Sequence, residues 1–309
     1  MDFTQPVAPG GYRWWYLDAQ SDDGRHALTV IAFIGSVFSP YYAWARHGGA
    51  AVPAEHHVAV NVALHGPSRS AWSMTERGAR SLERARNFLR IGPSALVWRD
   101  DALVITLDER NCPWPARIRG EIRLHPRVLP GYRCALDRHA QHWWAPLAPL
   151  ARIEVDLKDP QQRWSGPGYL DTNGGARPLE EDFAGWHWLR AGLGPDAAVL
   201  YDVLRADGTR LELALAFAAS GRVEQFAPPP WQSLGRSAWR MERYTRCEER
   251  GTARITRKLL DAPFYARSVV ATQLLGQAAM GIHESLSLER FSSRWIQAML
   301  AFRMPRRAR

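Results

Sequence analysis

One carboxylate, Asp171, stands in an aromatic stretch of the chain, with Tyr169, Trp164, Trp144 and Trp143 near it in sequence. Trp186 and Trp188 follow, so five of the 14 tryptophans fall between residues 143 and 188. A lone acid in such water-poor surroundings stays protonated at neutral pH, because burial disfavours its charged form. Aromatic faces beside it stabilise a cation once the proton has been delivered. The chemistry this predicts is proton donation to an uncharged substrate. Asp-Thr-Asn-Gly-Gly (171–175) is also turn composition, and an Asx turn accounts for the same carboxylate equally well.

Tyr169 and Asp171 are two residues apart, and so are His142 and Trp144. On an extended chain each pair projects to one side, so both pairs can line one cavity. A core histidine with satisfied nitrogens is the commoner fate of an isolated His142. His139 and His142 form an HxxH pair, but no third ligand stands at a suitable spacing, and no metal is expected. No GxSxG elbow, Walker loop or dinucleotide fingerprint occurs in its required context, and no cofactor is expected.

The elements that must position these residues read mostly as strands and hairpins. Trp14–Gln20 and His26–Gly35 flank an Asp-Gly turn, and His57–Leu64 alternates Val58, Val60, Val62 and Leu64 on one face. Further strands are expected at 95–98, 103–107, 117–124, 152–157, 199–204, 210–217, 222–226 and 264–273. Residues 239–245 and 252–260 read as a pair, and Leu82–Arg90 as a short helix with weak caps. Short strands at regular spacing, each with a turn signal, predict a mainly β chain of barrels or sandwiches. The Pro- and Gly-rich segment from Asp159 to Pro178 reads as the boundary, giving domains 1–165 and 166–309. Near the end, Leu288, Phe291, Trp295, Met299 and Phe302 recur at helical spacing among Arg290, Arg294, Arg303, Arg306, Arg307 and Arg309. This basic amphipathic tail, 285–309, fits the headgroup region of an anionic membrane, or a terminal helix docked on the second domain.

Composition narrows the classes. The net charge is +9, yet 38 of the 40 basic residues are Arg, spread along the chain, and no nucleic-acid-binding module is recognisable; no nucleic acid is expected as partner. Cys112, Cys134 and Cys247 are far apart and form no CxxC pair, which suits a reducing compartment. The first residues carry neither a basic nor an apolar leader, and the longest apolar run, Leu28 to Phe38, is too short to span a bilayer. The expected location is cytoplasmic, with peripheral contact to the inner membrane through the tail.

Longer motifs add a resemblance. GGYRWWYLDAQSDDG (10–24), IGSVFSPYYAWAR (34–46), MTERG (74–78), HWWAP (142–146) and GPGYLDTN (166–173) resemble, in order, the carotenoid 1,2-hydratases, or hydroxyneurosporene synthases. The last third of the chain carries few such motifs. The resemblance implies two lipocalin-like domains with a pocket between them, and cofactor-independent hydration of acyclic carotenoids such as neurosporene and lycopene. It implies Asp171 as the catalytic acid, with His142, Trp144 and Tyr169 in its pocket. The acid would protonate C2, leaving a tertiary cation at C1 for a water held by His142 to capture. Two other readings use the same residues: a lipocalin-like carrier of an apolar polyene or lipid, and an isoprenoid cyclase or isomerase.

Overall fold

The computed structural model describes residues 2–48, 51–67 and 70–307; Arg309 lies outside them. The described chain is mainly β, and it divides into two compact units, Met1–Pro178 with Gln297–Arg309, and Leu179–Ile296.

Among the described residues up to Pro178, the first unit holds twelve strands in chain order. They are β1 (Tyr12–Gln20), β2 (Ala27–Ile34), β3 (Val58–His65), β4 (Ser70–Arg77), β5 (Leu82–Ala85), β6 (Phe88–Ile91), β7 (Ser94–Arg99), β8 (Ala102–Arg110), β9 (Arg117–Pro126), β10 (Cys134–Ala135), β11 (His142–Asp159) and β12 (Gln161–Gly175). A helix, α1 (Pro40–His47), follows β2 and is capped by Ser39, whose Oγ accepts from the Tyr41 N–H. The strands lie in the order β4-β3-β2-β1-β12-β11-β9-β8-β7-β6-β5, all antiparallel, with β10 beside β11. The sheet curls until β4 meets β8 and β3 meets β6. A buried ion pair helps tie that closure, Arg77 donating to Glu109 at 2.7 Å while Ser94 donates to its other oxygen at 2.8 Å. Burial pushes the Glu109 carboxyl up, against the pull of Arg77.

The alternation of β1 and β12 sorts their side chains into two sets. Trp15, Leu17, Ala19 and Leu170 join Val30, Val60, Ile105, Ile153 and their neighbours in one aliphatic core. Tyr12, Trp14, Tyr16 and Asp18 point the other way, as do Tyr169, Asp171 and Asn173 opposite them.

Three local expectations are corrected. Asp159–Pro178 is no boundary linker, because residues 161–175 are the central strand β12, and the division falls at Pro178/Leu179 rather than 165/166. Glycine marks close packing there: a Cβ on Gly174 would sit 2.5 Å from the Trp143 ring, and one on Gly175 would sit 2.5 Å from His142 Nδ1 and 2.6 Å from Tyr12. Leu82–Arg90 forms the β5–β6 hairpin instead of a helix, since Leu89 and Ile91 supply a period-two buried face to the core.

The second unit opens with a helical turn, α2 (Leu179–Asp182), and holds β13 (Phe183–Leu193), β14 (Asp196–Arg205), β15 (Arg210–Phe217), β16 (Val223–Gln225), β17 (Trp231–Arg236), β18 (Glu242–Arg246), β19 (Arg254–Asp261), β20 (Tyr265–Leu274) and β21 (Gln277–Ser287). Seven of these form an antiparallel sheet, β16-β15-β14-β13-β21-β20-β19. The third correction lies here: β18 pairs with β17, and β19 with β20. Arg246 explains the choice, because it donates to Asp202 at 2.7 Å while lying over the Trp231 ring at 4.0 Å.

The tail is not one helix of uniform face. It continues β21 to Ser287, turns through α3 (Leu288–Phe291), and resumes as α4 (Arg294–Arg303), within which the division between the units falls. Ile296 and Leu300 face inward, whereas Trp295 and Phe302 are 55% and 83% exposed. Residues 297–309 group with the first unit rather than the second. There β22 (Arg306–Arg307) runs parallel to β4, and Arg306 donates to the buried Glu76 at 2.7 Å. No helix among the described residues is long and apolar enough to cross a membrane.

Leu170 is 1% exposed at the centre of the aliphatic core. Leu170→Ala is expected to lower unfolding free energy in a denaturant titration by ~2–5 kcal/mol, and a loss below a few tenths would contradict this packing.

Candidate active site

Asp171 stands mid-strand on β12, not in a turn. Its cross-strand partners are Tyr16 on β1 and Pro146 on β11. The pairing of β11 with β12 shifts between Pro146, Ala148 and Ala151, in the Ala-Pro-Leu-Ala-Pro-Leu stretch. Proline cannot donate to a ladder, so a bulge forms where Pro146 and Pro149 interrupt it, directly beside Asp171.

Two donors converge on one carboxyl oxygen. The Trp144 indole N–H donates to Asp171 Oδ2 at 2.8 Å, and the Tyr169 hydroxyl donates to the same oxygen at 2.9 Å. Trp144 and Tyr169 are both 0% exposed and Asp171 is 4% exposed, so the carboxyl is held in a fixed orientation away from bulk water. Both donors converge on Oδ2, which fixes the plane of the carboxyl.

His142 occupies the same face two residues before Trp144, opposite Gly175. Its Nδ1 lies 3.0 Å from the Tyr12 hydroxyl, and its ring stacks on Tyr12 at 5.7 Å. The peptide N–H of His142 donates to Asp137 at 2.7 Å. Burial alone would raise the Asp137 carboxyl, but backbone N–H groups of His142, Gln141 and His139 hold it below its ordinary value. The loop before β11 is thereby pinned. The four expected side chains thus share one sheet face, with Trp144, Tyr169 and Asp171 in direct contact and His142 one step along.

Other expected neighbours are elsewhere. Trp143 and Trp164 belong to the opposite face: Trp143 lies under Arg133 at 4.1 Å, and Trp164 packs toward the aliphatic core and stacks on His26 at 5.9 Å. A strict alternation puts residue 143 opposite to 144 and residue 164 opposite to 171. Trp186 and Trp188 lie on β13 of the second unit. His139 is exposed in the loop before β11, and no group of three or more His, Cys, Asp or Glu among the described residues is arranged to hold a metal ion.

The face also holds residues that spacing around Asp171 did not single out. Trp14 stacks on Tyr12 at 4.9 Å and meets Phe33 and Phe38 at about 6 Å. Tyr132 meets the Trp144 ring edge-on at 6.4 Å, beside Cys134, whose thiol is pushed up by burial to about 11. The signal for the β1 set was present in the alternation of Tyr12, Trp14, Tyr16 and Asp18 with Arg13, Trp15 and Leu17.

Comparison with known proteins adds a second line. A family model described as carotenoid hydratase CrtC matches residues 30–309. The acyclic carotenoid 1,2-hydratase of Thiocapsa roseopersicina is 52% identical over 305 residues, covering 98% of this chain and 75% of the relative. That of Rubrivivax gelatinosus is 46% identical over 309 residues, covering 99% and 76%. Among solved structures, an AttH from Nitrosomonas europaea superposes with a TM-score of 0.63 at 17% identity, over 91% of this chain and 98% of its own. Kievitone hydratase from Nectria haematococca gives 0.59 at 9% identity, over 92% and 91%. At such identities these two show a shared fold.

Gly175 has no room for a side chain beneath His142 and Tyr12. Gly175→Ala is expected to push the His142 ring off Tyr12 and to cost ~1–3 kcal/mol of stability. The imidazole nitrogen resonances of His142 should move accordingly; unchanged resonances would contradict the contact.

Proposed function

This chain belongs to the carotenoid hydratase family, and from that membership we propose that Asp171 donates the proton when it adds water across the terminal C1=C2 bond of an acyclic carotenoid. The observation that carries the assignment is the convergence of the Trp144 and Tyr169 donors on Asp171 Oδ2.

A trisubstituted alkene is a very weak base, so the acid must meet it already oriented and without competing water. Asp171 Oδ1–H gives its proton to C2, the π electrons form the new C–H bond, and C1 becomes a tertiary cation. The Asp171 carboxylate and the faces of Trp144 and Tyr169 stabilise that cation, each aromatic contact by ~0.5–2 kcal/mol. One water then adds at C1 and loses a proton, giving the tertiary alcohol. We assign the holding and deprotonation of that water to His142, whose ring is steadied by Tyr12. The carboxyl is restored when that proton returns to Asp171. Neurosporene and lycopene both present the required end group.

An anionic membrane surface is the second partner we propose. On α4, Trp295, Met299 and Phe302 stand at i, i+4 and i+7, so they form one stripe, and its two aromatic residues are exposed. Arg294 and Arg303 are exposed on the same helix. Exposed Trp and Phe beside Arg suit a peripheral helix lying among headgroups, where an apolar polyene would also be found.

Asp171→Asn is expected to fold normally by circular dichroism and to lose turnover by at least ~1000-fold. Wild-type enzyme given lycopene in heavy water should place one deuterium at C2 and a hydroxyl at C1. Substrate bound stoichiometrically and unchanged would favour a carrier; a cyclised or isomerised product without added oxygen would favour the third reading. Changing both Trp295 and Phe302 to Ser should cut co-sedimentation with phosphatidylglycerol vesicles about tenfold or more, and undiminished binding would remove the membrane contact.

A further inference from the structure

The sheet of the second unit carries a polar row across its interior face. Leu189 and Ala191 on β13, Ala198 and Leu200 on β14, Ala214 on β15 and Ala279 on β21 belong to the aliphatic core of this unit. At one end of these strands the same face turns polar, where Glu212, Asp202, His187 and Ser285 stand opposite one another across β15, β14, β13 and β21. From the β17–β18 hairpin, Arg246 donates to Asp202 at 2.7 Å and also to Glu212. That ion pair ties hairpin to sheet and accounts for two members of the row. It does not account for His187 and Ser285. Nδ1 of His187 lies 2.9 Å from Ser285 Oγ, and these two side chains hydrogen-bond to no other described residue. The rings of Trp231 and Tyr244, also from the hairpin, meet the imidazole nearly perpendicular with centroids at 5.8 Å. A cavity of 630 Å³ opens here, lined by His187, Ser285, Trp231, Met241, Tyr244 and Leu204 among others. Small-molecule sites have volumes of this size.

Aliphatic side chains would close this space without the cost of burying an imidazole and a hydroxyl. We propose that the cavity is a second binding site, contained in the Leu179–Ile296 unit, for an uncharged apolar molecule bearing a hydroxyl group that bonds His187. The charge of the lining sets that class. Arg210, Arg240 and Arg290 are balanced by Asp202, Glu242 and Glu289, so no net charge selects an ion. Several of these are also spent: Asp202 on Arg246, Glu242 on Arg236 and the Tyr244 hydroxyl, and Arg290 on the Trp239 and Pro263 carbonyls. Burial, with Arg210 nearby, pushes His187 down to about 4, so its imidazole is uncharged at neutral pH. His283 stacks on it at 6.1 Å, is pushed down to about 3 by burial, and donates from Nε2 to the Tyr244 carbonyl at 2.8 Å. With Nδ1 engaged by Ser285, His187 offers Nε2 to an occupant, as donor or acceptor according to its tautomer. A ligand hydroxyl satisfies either tautomer, because it both donates and accepts. Trp231, Tyr244, Met241 and Leu204 suit the apolar body that carries it. No residue of this cavity belongs to the Asp171 cluster, so the inference stands apart from the acid role assigned above.

The test is equilibrium dialysis of the full chain against 2-naphthol, naphthalene and 2-naphthoate, probes of one shape that differ in polar group. 2-Naphthol is expected to bind at least about tenfold more tightly than naphthalene, which lacks the hydroxyl, or 2-naphthoate, which brings a charge. His187→Phe, which keeps a ring and removes its nitrogens, should weaken 2-naphthol by a similar factor of about ten. Asp171→Asn should bind it as the wild type does. Naphthalene or 2-naphthoate binding as tightly as 2-naphthol overturns the proposal, and so does undiminished binding in His187→Phe. Loss of binding in Asp171→Asn would place the probe on the first unit's aromatic face and overturn it as well. Should His187→Phe fail to fold, the imidazole nitrogen resonances of His187 in the wild type decide. They should shift as 2-naphthol is added, and resonances that stay in place at saturation overturn the site.

Discussion

The register between β1 and β12 is the constraint on which the rest of the first unit depends. Side chains alternate along a strand, so a slip of one residue would carry Asp171 into the aliphatic core and bring Leu170 out beside Trp144. Such a slip would bury a carboxyl among Ile and Val and expose leucine on a polar, aromatic face, losing on both sides of the sheet. The aliphatic core therefore does more than stabilise the fold. By claiming Trp15, Leu17, Ala19 and Leu170, it obliges Tyr16, Asp18, Tyr169 and Asp171 to gather on the other face.

Fine positioning comes from what the strands lack. Gly174 and Gly175 leave the space that Trp143, His142 and Tyr12 occupy, so rings from β11 and β1 cross over the backbone of β12. Pro146 and Pro149 break the β11 ladder where Trp144 reaches over to Asp171. The indole then spends its one donor on the carboxyl, and Tyr169 adds another from the same strand. Rigid strands hold such a set more closely than a loop would, which suits the acid role proposed for Asp171.

Much of this was legible in the residues, and the misreadings have common causes. The spacing of His142 with Trp144 and of Tyr169 with Asp171 already placed each pair on one side of an extended chain, because alternation is a local property. Which strands become neighbours is not local. Nothing near Asp171 in sequence announces Tyr16 and Asp18, more than 150 residues earlier. The pairing of β17 with β18 is local and was missed for another reason, because Trp231–Arg236 was not read as a strand. Composition misled at Asp159–Pro178, where glycines that permit close packing looked like glycines that permit flexibility. At Leu82–Arg90 a weak helical period lost to the demand for a buried face at Leu89 and Ile91. Trp143 and Trp164 were close to Asp171 along the chain and still lie on the far side of the sheet.

The return of residues 297–309 to the first unit has a consequence for how the protein is made. Emerging from a ribosome, β1 to β12 can pair before the second unit exists, but β4 then remains an open edge, with His57 beside the buried Glu76 carboxylate. Arg306 and the short parallel strand that cover that edge are translated only after the whole of Leu179–Ile296. Throughout that interval the β4 backbone at Glu76 and Arg77 lacks its partner strand, and an open strand edge of this kind can template pairing with a neighbouring chain. Closure of this edge is thus timed by translation of residues 297–307, not by the folding of β1 to β12.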